Sequence, residues 1–511
     1  MGFTLIDMVV LVVYLGAVLL AGIFLSNKEM QGKEFFKGDG SIPWYVTSVS
    51  IFATLLSPIS FMTLAGNAYE GTWILWFTQL GMVVAIPLAI KFFLPIYARL
   101  DIDTAYDYLQ IRFGSKVLRA ISAVFFIIYQ VGRMSIIMYL PSIALAGLTG
   151  INVNILIILM GVIAIIYSYT GGIKSVLWTD FIQGSVLIFG AVVGLIFLIY
   201  YIDGGFAPIM DELVNNGKFL AENEPIFDPN IFKDSVFLMI IGAGFNTLSS
   251  YISSQDIVQR FTTTQSVKKL NKMMFTNGVL SLATATFFYL TGTGLYVLYK
   301  VQNPGLAEGV PQDEIFTYFI TNGMPVGLTG ILIAAIFAAA QSTLSTGLNS
   351  VATSWTLDIQ DVFSEGMTDD KRTQIARYIS LGVGVFSIVV SVLMASTGIE
   401  SAYVWFNGFM GLVLGVLGGT FILGLFFKKA NLYGAYAGMA MSSLVMIAIR
   451  YILVIDSISV WANSLISIAV SIVVGYIVSV LTGGSAKETP ANTTVYDIPE
   501  IKRDMSWEVR S

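Results

Sequence analysis

The sequence predicts an all-α polytopic membrane protein. Three observations carry that reading. The 511 residues are 56% hydrophobic and 12% charged, against about 25% charged in an ordinary soluble domain. The apolar residues fall in runs near the roughly 20 residues a spanning helix needs. The basic residues gather in alternate loops, as they do when positive charge stays on the inner side. There is no Cys and no His. That excludes disulfides and thiol catalysis, and removes the commonest metal ligand and proton carrier.

The first run, 5–25, follows the start "MGFTLIDMVV". This start has no basic leader and no small-residue cleavage site, so the run reads as a retained helix rather than a signal peptide. Further runs lie near 43–69, 73–97, 117–148, 152–170, 176–201, 235–255, 273–299, 316–354, 375–396, 401–427, 431–453 and 458–482. About thirteen spans are expected on this length criterion, which puts the two termini on opposite sides. With the N-terminus outside, the inner segments hold Lys28, Lys33 and Lys37; Arg99, Arg112, Lys116 and Arg119; and Lys174. They also hold Arg260, Lys268, Lys269 and Lys272; Lys371, Arg372 and Arg377; Lys428 and Lys429; and Lys487, Lys502, Arg503 and Arg510. The outer segments hold only Lys218, Lys233, Lys300 and Arg450. Residues 1–482 read as one membrane unit and 483–511 as a cytosolic, polar, loosely ordered tail.

The second span contains "SVSIFATLLSPISFMTLAG". Pro58 has no N–H and clashes with the preceding turn, which frees carbonyls near 53–56. Such groups need partners inside a bilayer. A bound cation, water, hydroxyl side chains or a plain proline kink are all open readings. The seventh span has a second weak point at Gly242, Gly244, Asn246, Ser249 and Ser250. If 5–25 is an extra helix, these spans open two sets of five, 43–201 and 235–427. The sets cross the membrane in opposite senses, an inverted repeat followed by two further helices over 431–482.

The run "AAIFAAAQSTLSTGLNSVATSW" at 334–355 is apolar yet dense in hydroxyls. On a helix Ala339, Ser342, Thr343 and Thr346 share one face, with Ser345 beside them. Hydroxyl and carbonyl oxygens suit a sodium ion better than a transition metal, which would want His or Cys. Back-bonding to earlier carbonyls or close helix packing is the alternative.

Arg133 and Asp180 are ionisable residues within spans, where such groups default to function. At 1.5 Å per residue, Arg133 lies about 20 Å from the inner boundary and Asp180 about 8 Å. A direct bridge between them is therefore disfavoured. Arg133 then has no evident protein counter-ion, and a substrate carboxylate could supply one. Asp180 lies at the depth of Ser342–Thr346 and suits a second cation site. Gln79 is a lone amide that either orients a substrate hydroxyl or ties two helices.

The segments "TGGIKSVLWTDFIQG" at 170–184, "SSQDIVQRF" at 253–261 and "AAIFAAAQSTLSTGLNS" at 334–350 resemble the sodium:solute symporter family, over about residues 5–482. "FATLLSPISFMTLAGNAY" and "QVGRMSIIMYL" narrow the resemblance to its bacterial sialic acid transporters. The resemblance implies a LeuT-type fold. It also implies sodium as coupling ion, sialic acid as substrate, the bacterial inner membrane as location, and no nucleic acid partner. A first sodium site would use the carbonyls of Ala53, Leu56 and Ala339 with the hydroxyls of Ser342 and Thr343. A second would use Asp180, Ser342, Ser345 and Thr346. Arg133 would hold the sialic acid carboxylate. Ser57, Ser60, Gln79 and Asn246 would contact the rest of the substrate. The chain departs from the similar members at Leu55, where they have Thr, and at Pro58, where they have Ser.

A symporter for another solute, such as a sugar, polyol, amino acid or other carboxylate, is the alternative. Proton coupling through Asp180 is a further one. A sensor is disfavoured by the short tail. An enzyme is disfavoured because the spans hold no His, no Cys and no acidic pair with metal-ligand spacing.

Overall fold

The computed structural model describes residues 3–25, 32–230, 233–264, 266–364, 366–397, 402–455, 458–483 and 489–504. Lys28, Lys487 and Arg510 lie outside them. The long helices are α1 (Leu5–Leu25), α2 (Trp44–Leu55), α3 (Pro58–Glu70), α4 (Thr78–Phe92), α5 (Lys116–Thr149), α6 (Val153–Tyr201) and α7 (Val236–Ser253). They continue as α8 (Gln255–Phe261), α9 (Val267–Tyr296), α10 (Leu328–Ser354), α11 (Asp369–Thr397), α12 (Ala402–Phe426), α13 (Leu432–Ile447) and α14 (Ala462–Leu481). Among the described residues, 10 helices are long and apolar enough to cross a membrane, or up to 11 with the bent pair α2–α3. Val153–Ile166 and Val413–Phe426 are shorter apolar stretches. The expected thirteen is not reached by length and composition alone.

The break in the second span falls where Pro58 placed it. α2 ends at Leu55, Leu56 and Ser57 are extended, and α3 leaves at 63°. Pro58 sits in the first turn of α3, where a missing N–H is harmless, and Ser57 caps the helix through the Ser60 N–H. In the seventh span the break is displaced from the expected place. α7 runs through 242–250 and stops at Ser254, which is extended at φ −87°, ψ 115°. The glycines there serve packing: a Cβ on Gly242 would lie 2.1 Å from the carbonyl oxygen of Trp461. The runs 152–170 and 176–201 join as α6, kinked at Gly172. That residue adopts φ +55°, and a side chain there would meet the Phe35 carbonyl at 2.7 Å. Beside this kink Lys174 bonds Asp39 at 2.8 Å and holds its carboxyl well below the usual carboxylate range.

α10 is the central helix. Every residue from Leu332 to Ser354 is buried, against α6, α5, α2 and α8 among others. Its N-cap, Gly327, offers no side chain. Asp7 of α1 takes that role, with Oδ1 accepting from the N–H groups of Gly327 (2.7 Å) and Gly330 (2.9 Å). Thr4 holds the other carboxylate oxygen at 2.6 Å. The added first helix thus anchors the helix that carries the hydroxyl cluster. Removing a capping side chain costs about 1 kcal/mol. Asp7→Ala is therefore expected to lower the thermal midpoint in detergent while sodium dependence persists. An unchanged midpoint would remove α1 as the anchor of α10.

The tail departs from the loosely ordered expectation. Over 489–504 it docks on the helical ends. The Thr493 carbonyl accepts from the Tyr108 hydroxyl at 3.0 Å, Thr489 donates to the Lys428 carbonyl at 3.1 Å, and Ile498 and Ile501 are buried. Two isoleucines in a polar tail were too few to stand out as an apolar face.

Candidate functional site

The break between α2 and α3 sits beside the hydroxyl face of α10. Ser342 donates to the Ala53 carbonyl at 3.0 Å and lies 3.2 Å from the Ala339 carbonyl oxygen. Thr343 bonds the same Ala339 carbonyl at 3.1 Å. Leu56 lies in the extended linker next to them. Hydrogen bonds thus join four of the five residues expected in a first ion site, and Leu56 follows Ala53 three residues on. The back-bonding reading also holds in part, since Thr343 reaches the carbonyl four residues earlier.

One helical turn on, Asp180 of α6 gathers residues from three other helices. Its Oδ2 accepts from Ser50 of α2 (2.6 Å), Arg260 of α8 (2.8 Å) and Thr346 of α10 (3.1 Å). Its Oδ1 accepts from Ser345 at 3.3 Å. The expected shared depth of Asp180 and Ser342–Thr346 is what the helices produce. Arg260 was counted as an inner loop charge; instead its side chain is 1% exposed, buried at the centre. Four residues separate it from Asp256, a spacing that joins partners on a helix. That spacing was the available signal for both residues.

Arg133 and Asp180 are not partners, as their depths predicted. Arg133 does have a protein counter-ion, contrary to expectation. Its Nη1 lies 2.6 Å from Asp256 Oδ2, and its Nη2 donates to the Thr54 carbonyl at 2.7 Å. Asp256 was missed because it sits in the first turn of α8, beyond a break that sequence reading placed earlier. Ser254 fixes its other oxygen at 2.5 Å. The Asp256 carbonyl in turn accepts from Arg260. The carbonyls freed at the Pro58 break thus find two different partners: Ser342 takes Ala53 and Arg133 takes Thr54.

Above this layer lies a cavity of about 260 Å³. Ser57, Ser60, Gln79, Arg133 and Asn246, the five residues expected to meet substrate, all line it. Thr63, Thr78 and Ser250 add hydroxyls, while Leu55, Met82 and Trp461 make apolar wall. Asn246 Oδ1 is buried without a hydrogen-bond partner among the described residues, so it can accept from a guest. Gln79 bonds Thr78 at 3.3 Å and otherwise faces the cavity. The lining therefore combines the Arg133 guanidinium, the Asp256 carboxylate paired with it and several neutral polar groups with apolar side chains. Among the described residues no group of three or more carboxylates is placed to hold a multivalent metal.

The family model described as the sodium:solute symporter family matches residues 35–442. The chain is 35% identical to the sodium/sialic acid symporter SiaT of Proteus mirabilis over 88% of this chain and 90% of that protein. It is 31% identical to the sodium/sialic acid symporter NanT of Aliivibrio fischeri over 88% of each. A solved structure of a substrate-bound, outward-open Na+-coupled sialic acid symporter superposes with a TM-score of 0.87 at 32% identity, covering 94% of this chain and 99% of that one.

Proposed function

Since the chain belongs to the sodium:solute symporter family, we propose that it takes up a sialic acid across the bacterial inner membrane by sodium-coupled symport. It is a multi-pass transporter and no enzyme. The observation that carries the substrate reading is the cavity itself. A guanidinium fork suits a carboxylate, and Arg133 would offer one by turning from Asp256 and the Thr54 carbonyl toward the substrate. The hydroxyls and amides beside it match a polyhydroxylated ring, and Leu55, Met82 and Trp461 suit an acetamido methyl. Relatives at 35% and 31% identity are named for this substrate.

Two sodium ions fit the two oxygen clusters. The first would lie among the carbonyls of Ala53, Leu56 and Ala339 and the hydroxyls of Ser342 and Thr343. These donors are neutral and hard, and the C-terminal end of half-helix α2 adds negative dipole there. The second would lie at Asp180, Ser342, Ser345 and Thr346. Asp180 Oδ2 accepts from three donors, whereas among the described residues Oδ1 has only Ser345; Oδ1 is the oxygen open to a cation. The half-helix pairs α2–α3 and α7–α8 would head the two repeats, 43–201 and 235–427, between the added first helix and the two last ones. The distribution of basic residues supports an N-terminus outside and a tail in the cytosol. Thirteen spans follow if α6 counts as two and Val413–Phe426 as part of one.

Joint binding of ions and substrate would favour closure on the outer side and release inside. Each charge moved through 100 mV contributes about 2.3 kcal/mol, so two ions drive net inward movement of a monoanion. The test is N-acetylneuraminic acid uptake into proteoliposomes with an inward gradient of sodium, potassium or protons in turn. Uptake under sodium alone is expected. Because Asp256 already satisfies Arg133, a neutral solute is the second reading. A competition panel of sugars and amino acids against N-acetylneuraminic acid separates the two.

A further inference from the structure

Between α5 and α10, on the side expected to be cytosolic, lies a line of polar groups that neither ion cluster uses. The two helices run antiparallel. Gly347 faces Gln130, since a Cβ at 347 would lie 2.6 Å from Gln130 Nε2. Further along, Asp358 Oδ1 lies 2.7 Å from Arg119 Nε. The step from 347 to 358 on one helix matches the step from 130 to 119 on the other, which sets the register. In that register Ser354 stands within one residue of the level of Ser122, and Thr356 follows in the turn 355–360 that carries Asp358.

These residues are fully buried. Gln130 Nε2 and Oε1, Ser122 Oγ, Ser354 Oγ, Thr356 Oγ1 and Asp358 Oδ2 have no hydrogen-bond partner among the described residues. A helical hydroxyl can fold back on an earlier carbonyl, as Ser350 does on Gly347 at 3.1 Å; the hydroxyls of this seam do not. Buried polar groups without partners are costly and demand an explanation. Almost all of these are oxygens, and the guanidinium of Arg119 is already engaged by Asp107, Gln110, Asp358 and the Leu357 carbonyl. Hydroxyl, amide and carboxylate oxygens are ligands for a hard cation.

The seam also has two defined ends. At one end Gly347 follows Thr346, whose hydroxyl bonds Asp180. At the other, carboxylates outnumber cations: Asp107 and Asp358 surround Arg119, and Asp101 and Asp103 surround Lys37. We propose that this seam is the inner route of the cation leaving Asp180, with Asp358 Oδ2 its last binding station before the cytosol. This rests on the sodium-symport reading. In the present structure Arg119 and Thr104, both bonded to Asp358 Oδ1, close the inner end. Inward opening would part that contact.

The chain has no Cys, so a single introduced thiol reports alone. In Ser354→Cys and Ser122→Cys the change is one atom. Silver ion, a monovalent cation close to sodium in size, is applied to the cytosolic face of the full reconstituted protein. It is expected to react at both positions, giving near-complete block of later maleimide labelling of the unfolded chain. High sodium is expected to slow that reaction. Leu348→Cys, on the face of α10 that meets Gly384, is the dry control. Reaction at 354 and 122 no faster than at 348, or indifferent to sodium, overturns the route. The readout is chemical: absence of sodium-driven uptake would sink the symport reading, while the thiol result still decides whether a cation reaches the seam. Asp358→Asn keeps an acceptor for Arg119 and is expected to slow turnover several-fold with unchanged substrate Kd. Unchanged turnover overturns the station at Asp358.

Discussion

Asp180→Ala is expected to flatten the sodium dependence of uptake and to destabilise the fold at the same time. Four side chains from three other helices address this carboxylate, and one of them is the buried guanidinium of Arg260. Removing one member of a buried pair leaves an uncompensated charge, a loss of about 3–5 kcal/mol. The two effects can be separated. Arg260→Met combined with Asp180→Ala removes both charges and should recover much of the stability, because pairs in contact are not additive. It should not recover the sodium steepness, since Met brings no oxygen for an ion. If Asp180→Ala keeps the wild-type steepness in folded protein, the second ion does not bind at Asp180. If the double variant restores steepness, Asp180 serves only to neutralise Arg260.

Arg133→Ala is expected to abolish uptake of the sugar acid. Hydrogen bonds to charged groups contribute about 1.5–3 kcal/mol each. Loss of a two-pronged contact should therefore weaken substrate binding by roughly 10²–10⁴-fold on that scale. Arg133→Lys retains charge without the fork and should recover only part of it. Here the structure adds a control that the sequence did not suggest. Arg133 also holds Asp256 and the Thr54 carbonyl, so its loss could act through position rather than through substrate. Asp256→Asn tests that. It leaves Arg133 free for a carboxylate, and binding of N-acetylneuraminic acid by calorimetry should persist. Equal loss in Arg133→Ala and Asp256→Asn would assign Arg133 to the internal ion pair. Wild-type affinity in Arg133→Ala would end its role as the carboxylate ligand.

Much of this site was legible beforehand because its signals are local. Pro58 must break a helix wherever it stands in one, and the break is at 56–57. The hydroxyls from Ser342 to Thr346 lie close together on any helix, and α10 presents them to the Ala53 carbonyl and to Asp180. Depth along a span follows from counting residues, which placed Asp180 with that face; Arg133 does not bond Asp180 but reaches the same layer through Asp256 and the Thr54 carbonyl. The second break was misplaced because glycine has two uses. At Gly242 and Gly244 it lets helices touch, whereas the chain turns at Ser254, a residue with no strong preference of its own.

Composition, periodicity and the distribution of Lys and Arg determined by themselves that this chain is a bundle of membrane helices, with polar interruptions at 53–58 and 342–346. These properties depend on residues close together in the chain, and on the uniform demand of a bilayer that every backbone group be satisfied. Only the tertiary structure decided which charges meet. Arg133 with Asp256, Arg260 with Asp180, Arg119 with Asp358 and Asp7 with the start of α10 join residues up to 323 positions apart. Such pairings rest on helix register and rotation, which packing sets and no short stretch of sequence encodes.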